Sequence, residues 1–176
     1  MDRYRKTSLA LVAVLGPAVL LSYLQLRDGG AYLSSKYWLG LDRPLVVATV
    51  IAQVLAAAGF IAFVGATALQ PPRRGIMRGW GLPVAIAVLL VASGLWAPCV
   101  RHAMDHGSLA AAVGTSVCLV AAAVAALLML AGVFESDMGG VGGTVALVGI
   151  ALLGVVVVLL DGVGWNARWI HRRPWA

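Results

Sequence analysis

Among the seven carboxylates in this 176-residue chain, Asp161 directly ends a long apolar run, Val141–Leu160, and lies one helical turn before Trp165. An acid within a bilayer costs several kcal/mol or keeps its proton, which makes such a residue a functional candidate by default. Counting about 20 residues per membrane crossing puts Asp161 at the boundary of the run, so a solvated or Arg-paired helix end explains it as well as a pocket acid does. Gln53 sits deeper, about two turns into the run Leu45–Leu69. An unpaired amide there is unfavourable, and an interhelical hydrogen bond is the expected answer. Thr49, Thr115 and Ser116 are expected to bond carbonyls of their own preceding turn.

His102 and His106 stand four residues apart with Asp105 between them, a spacing that would set two imidazoles on one helical face. Two histidines and a carboxylate can hold a metal. A solvated turn between two spans carries the same residue types, and it is the reading adopted, with no metal assigned. Cys99 and Cys118 are too few and too far apart in sequence for a zinc or iron–sulfur motif. If the third and fourth runs are antiparallel helices, Cys99 ends one while Cys118 lies two to three turns inside the other, so no disulfide is expected. No Ser/His/Asp set, phosphate-binding glycine loop or paired intramembrane carboxylates are found, and the chain is not expected to be an enzyme.

The elements that must position these residues follow from composition. Apolar residues make up 61% of the chain, charged residues 11%, and mean hydropathy is +0.94. A soluble domain needs far more polar surface. Five runs contain no Lys, Arg, Asp or Glu: Ser8–Leu26, Leu45–Leu69, Trp80–Val100, Leu109–Phe134 and Val141–Leu160. Each is long enough to cross roughly 30 Å of hydrocarbon as a helix. The expected fold is therefore an all-α, polytopic integral membrane protein, a five-helix transmembrane bundle forming one domain over 1–176. It would have four helices if the first were a cleaved signal. That reading is set aside, because the run is longer than a signal core and no small-residue cleavage site precedes Arg27.

Gly16-Pro17 near the middle of the first run predicts a kink. Tyr23, Tyr37, Trp38, Trp80, Trp165 and Trp169 flank the runs, where amphipathic rings prefer the headgroup level. Lys plus Arg number six on the N-terminal side of a five-span layout and seven on the other, so the loops leave orientation open. The net charge of +6 flanks membrane spans and meets lipid headgroups; it carries no argument for nucleic acid. The alanines from Ala110 to Ala126 and the glycines from Gly139 to Gly154 predict close packing between the fourth and fifth helices. The segment from Arg27 to Pro44, with Tyr32, Leu33, Tyr37, Trp38 and Leu39, is expected to fold over helix ends as a cap.

Three short motifs carry a family resemblance. Gly16-Pro17 resembles the small-residue–Pro pair in the first helix of the translocator protein (TspO-like) family. Tyr37-Trp38-Leu39-Gly40-Leu41-Asp42-Arg43-Pro44 is similar to that family's aromatic-then-basic approach to the second helix, and Trp96-Ala97-Pro98 to its Trp-x-Pro at the end of the third. Cys99-Val100-Arg101 departs from the family pattern, and no Trp-x-Pro-Pro follows Pro44. The resemblance implies a pocket inside the bundle for a flat lipophilic molecule, a tetrapyrrole such as a porphyrin or a sterol. Trp96 and Pro98 would line it, Trp38 would belong to a lid, and Gly16 and Pro17 would shape the first helix around the ligand. Gln53, Asp161 and Trp165 complete the expected ligand-binding set, with no catalytic residue among them. Two other readings need no such pocket: an accessory subunit recruiting neighbours in a homo-oligomer or larger membrane complex, and a small transporter or channel subunit using Gln53 or Asp161.

Overall fold

A computed structural model of the chain describes residues 3–28, 30, 32–33 and 36–175. Its described elements are helices: α1 (Arg3–Tyr23), prolonged by a 3₁₀ turn Leu24–Leu26; α2 (Arg43–Leu69); α3 (Gly81–His106); α4 (Leu109–Glu135); and a last long helix. That last one begins as α5 (Gly140–Gly154), unwinds into a π-helical stretch Val155–Trp165, and closes as α6 (Asn166–Arg172). Five helical rods, Arg3–Leu26, Arg43–Leu69, Gly81–His106, Leu109–Glu135 and Gly140–Arg172, are long and apolar enough to cross a membrane.

Local chemistry sets the helix ends. Pro44 stands in the first turn of α2, where a missing N–H does no harm. Gly107 adopts φ 63° and stops α3, and Ser108 Oγ then accepts from Ala111 N to cap α4. The turn between α3 and α4 is thus only Gly107-Ser108. The expected solvated turn at 101–106 is corrected: Arg101 to His106 contain no breaker, so the helix runs on until the first glycine. Charged residues halt a hydropathy run but not a helix that has reached the headgroups.

Packing matches expectation in part. α3 lies chiefly against α4 and α1; the last helix does pack on α4, through α5 and through its π-helical stretch, but α5 itself lies chiefly against α2. The α2–α5 approach is backbone to backbone: a Cβ at Gly59 would stand 2.7 Å from Gly149 O, and a Cβ at Gly149 would collide with Gly59 O. Gly149 of the fifth rod therefore serves α2, whereas Gly162 lies against Ala123 of α4. Four alanines of α4, Ala112, Ala122, Ala125 and Ala126, are buried in the two apolar clusters of the bundle. α1 rests on α3 and barely touches α2.

Candidate functional site

Where α1 and α2 diverge, a cavity of ≈ 400 Å³ opens between α1, α2, α3 and the π-helical stretch. Its walls are almost wholly apolar, with Val50, Ala57 and Phe60 from α2 and Leu89 and Leu90 from α3 among them. The polar exceptions gather from four directions: Gln53 on α2, Ser93 on α3, Asp161 on the π stretch, and the tyrosines Tyr23 and Tyr32. Gln53 is the hydrogen-bonding neighbour of the Asp161 carboxyl. This is the arrangement expected of a ligand pocket, apolar walls with a few converging polar groups. Leu20 (67% exposed) and Val54 (63% exposed) line the same cavity, so the cavity opens sideways on the apolar outer face of the bundle.

The backbone explains how the acid reaches the cavity. Asp161 belongs to an 11-residue π-helical stretch, a winding that is rare and gathers at functional sites. Gly162 and Gly164 follow it; a Cβ at Gly162 would stand 3.0 Å from Val157 O, five residues back. Tyr32, on the first loop, has its phenol pushed up to about 12, by burial first and by the Asp161 carboxylate second.

Beside the cavity runs a row of aromatic rings. Tyr23 touches Trp96 (centroids 5.4 Å), Trp96 meets Trp165 edge-on (5.2 Å), Trp165 stacks on Trp169 (5.0 Å), and Trp169 meets Trp175 (4.6 Å). Trp169 Nε1 donates to Ala112 O at 3.1 Å, and Ser116 Oγ donates to Asn166 Oδ1 at 2.8 Å, so α6 is tied to α4 twice. Ser116 thus bonds across helices, whereas Thr49 and Thr115 bond their own preceding turns, to Leu45 O and Ala111 O. Among the described residues, the indole N–H groups of Trp96 and Trp165 have no partner.

The first loop packs over this end of the bundle. Tyr37, Trp38 and Leu39 are buried. Tyr37 Oη donates to both Asp105 oxygens at 3.1 Å, Lys36 Nζ pairs with Asp105 at 2.7 Å, and Arg101 Nε lies 3.4 Å from the same carboxylate. Trp38 Nε1 donates to Tyr32 O at 2.8 Å and its ring meets Tyr32 edge-on. Trp38 therefore supports the loop tyrosine that lines the cavity.

Of the sequence-based candidates, Gln53 and Asp161 come together at the cavity. Trp96 and Trp165 stand behind Tyr23 in the aromatic row, and Trp38 stands behind Tyr32. Gly16, Pro17 and Pro98 lie on α1 and α3 outside the cavity lining. Sequence reading missed Tyr23, Tyr32, Phe60 and Ser93. For Phe60 a signal existed: it shares a helical face with Gln53, two turns on. His102 and His106 stack at 4.6 Å on the exposed side of α3 while Asp105 turns to Lys36 and Arg101. No group of three or more His, Cys, Asp or Glu able to hold a metal occurs among the described residues. Cys99 and Cys118 are free thiols. They are neighbours across the α3–α4 seam rather than offset, because α3 continues past Cys99, whose Sγ lies against Gly114 one turn from Cys118.

No protein-family model, curated protein or solved structure matches this chain.

Proposed function

We propose that the protein binds a lipophilic small molecule of the sterol class in the cavity between α1, α2, α3 and the π-helical stretch, taken up laterally from the bilayer. The observation that carries this reading is a lone carboxyl, Asp161, set by a π-helical turn at one side of an otherwise apolar cavity that opens on the apolar outer face of the bundle. An apolar body would fill the space along Val50, Phe60 and Leu90, while a hydroxyl would donate to Asp161 and accept from the Gln53 amide or a tyrosine. The resemblance to the translocator protein family implies tetrapyrroles as well as sterols. Burial separates the two, because a sterol brings one neutral hydroxyl into this apolar cavity whereas a tetrapyrrole would bring carboxylates for which no cationic partner lines it.

The test is titration of the delipidated protein in mild detergent with a fluorescent sterol, read by energy transfer from tryptophan, alongside a porphyrin. A saturable sterol signal is expected, with apparent affinity falling about tenfold in Asp161→Asn through loss of one charge-assisted hydrogen bond. Saturation by the porphyrin alone would reassign the ligand class. Saturation by neither would end the ligand-binding reading in favour of the accessory subunit.

A further inference from the structure

The other end of the bundle holds a second and much smaller cleft, in which Arg5, Ser8 and Thr67 stand among mostly apolar walls. It lies between the opening turns of α1, the end of α2, the loop Pro71-Pro72 and the start of α3 at Leu82 and Pro83, with a volume of ≈ 40 Å³. Two of its lining residues carry orphaned donors. Ser8 is only 5% exposed, yet its Oγ has no partner, and the Nε of Arg5 is likewise buried without one. Buried polar atoms are almost always hydrogen-bonded, so two unsatisfied groups in one cleft point to an absent acceptor. The neighbouring Thr67 hydroxyl donates to Phe63 O and Val64 O of its own helix and is not within hydrogen-bonding reach of either orphaned group.

Charge says what kind of acceptor fits. The cleft's end of the molecule carries Arg5, Lys6, Arg73, Arg74 and Arg78, and none of these side chains has an ion pair among the described residues; the two described pairs are both at Asp105, at the far end. The acids nearby are engaged by backbone, Glu135 with Ile76 N at 3.1 Å and Asp137 with Arg73 N at 3.2 Å. A water molecule would satisfy the donors but leave a buried guanidinium edge amid further cations. The space exceeds the roughly 10–15 Å³ that one water needs. Tyr4 and Trp80, whose rings meet at 5.1 Å, stand at this level as interfacial aromatics do.

We propose that this cleft is a phosphate-binding site, occupied by the headgroup phosphate of an anionic phospholipid, with Arg5 Nε and Ser8 Oγ donating to its oxygens. Arginine clusters at helix ends recognise such headgroups by charge and paired hydrogen bonds. The site is independent of the Asp161 cavity and stands or falls without it.

Thermal unfolding of the full chain, delipidated in mild detergent and followed by tryptophan fluorescence, tests it. Phosphatidylglycerol is expected to raise the midpoint saturably, and Arg5→Gln to weaken the apparent affinity about tenfold, with Arg5→Lys retaining part of it. Ser8→Ala gives a smaller loss in the same direction and carries the test should Arg5→Gln fail to fold. Inorganic phosphate serves as the second ligand: an equal shift at equal concentration would support the phosphate site but identify a free oxyanion as its occupant. A purely structural role for Arg5 would lower the unliganded midpoint and leave the phosphate dependence unchanged. That result, or the absence of any saturable shift with either ligand, overturns the proposal.

Discussion

At Gly59 and Gly149 the separation of two helices is decided by the absence of two methyl groups. A Cβ on either would press on the other's backbone oxygen, and a backbone neighbour, unlike a flexible side chain, cannot swing aside. Gly149→Ala is therefore expected to destabilise the bundle by about 1–3 kcal/mol, the usual range for overpacking a tight contact. Gly65→Ala on α2 meets nothing within 4 Å and should be neutral or stabilising, by up to about 1 kcal/mol, through helix propensity alone. Denaturant titration in mixed micelles checks both; equal effects at the two positions would mean that glycine content, not this contact, matters. The sequence made the glycine face of the fifth helix legible but pointed it at α4. Small residues announce that something comes close but not what: α2 carries eight alanines and two glycines and α4 nine alanines and two glycines, so composition could not choose between them, and the short linker to α4 decided the expectation.

Elements hold what periodicity cannot express. Asp161 was placeable near a helix end by counting from Val141, yet the helix continues to Arg172, so the acid lies well inside the rod. Nothing in a hydrophobic pattern distinguishes π winding from α winding, although Gly162 and Gly164 beside a lone acid mark a stretch free of side-chain crowding. The first loop was more legible, because five apolar or aromatic residues between Tyr32 and Leu39 are too many for a free linker, and three of them are buried. Its docking should respond to pH. The Asp105 carboxylate beside Lys36 raises that ammonium above its ordinary 10.5, and burial followed by the bond to Asp105 raises the Tyr37 phenol above 10.0. Both groups hold their protons more tightly when docked. The same contacts hold the Asp105 carboxyl below its ordinary 3.8, Lys36 foremost. Docking is thus fully favoured only between the two ranges, weakening as pH climbs through the raised values of Lys36 and Tyr37 and again as it falls through the lowered one of Asp105. The electrostatic part is small, since Lys36 is half exposed. In protein labelled with 5-fluorotryptophan, the ¹⁹F resonance removed by Trp38→Phe should shift toward its solvent-exposed position between about pH 10 and 12. The same shift occurring at neutral pH, between the two ranges, would contradict this origin.

Taken as a whole, the molecule has two unlike ends, joined by five rods whose existence was readable from uncharged runs and whose ends were not. The third and fifth helices outrun their apolar stretches, to His106 and Arg172, because the headgroup region solvates the charges they gain there. If all five rods cross the membrane, Arg3 and Arg172 lie on opposite sides of it. Orientation then depends on a narrow difference, six Lys and Arg on the side of Arg5 against seven on the side of Arg172. Cytoplasmic loops hold the excess of these residues, so a margin of one gives little bias and a change of two should be felt. With epitope tags at both termini in sealed vesicles, protease is expected to reach one tag and spare the other on each molecule. Replacing Arg172 and Arg173 by Gln turns six against seven into six against five, which reverses the sign of the difference and should increase the share of molecules whose N-terminal side faces the cytoplasm. Cleavage of both tags together would refute five spans, whereas unchanged proportions in the double variant would show that packing, such as the tie of α6 to α4 through Trp169 and Asn166, fixes orientation in place of charge.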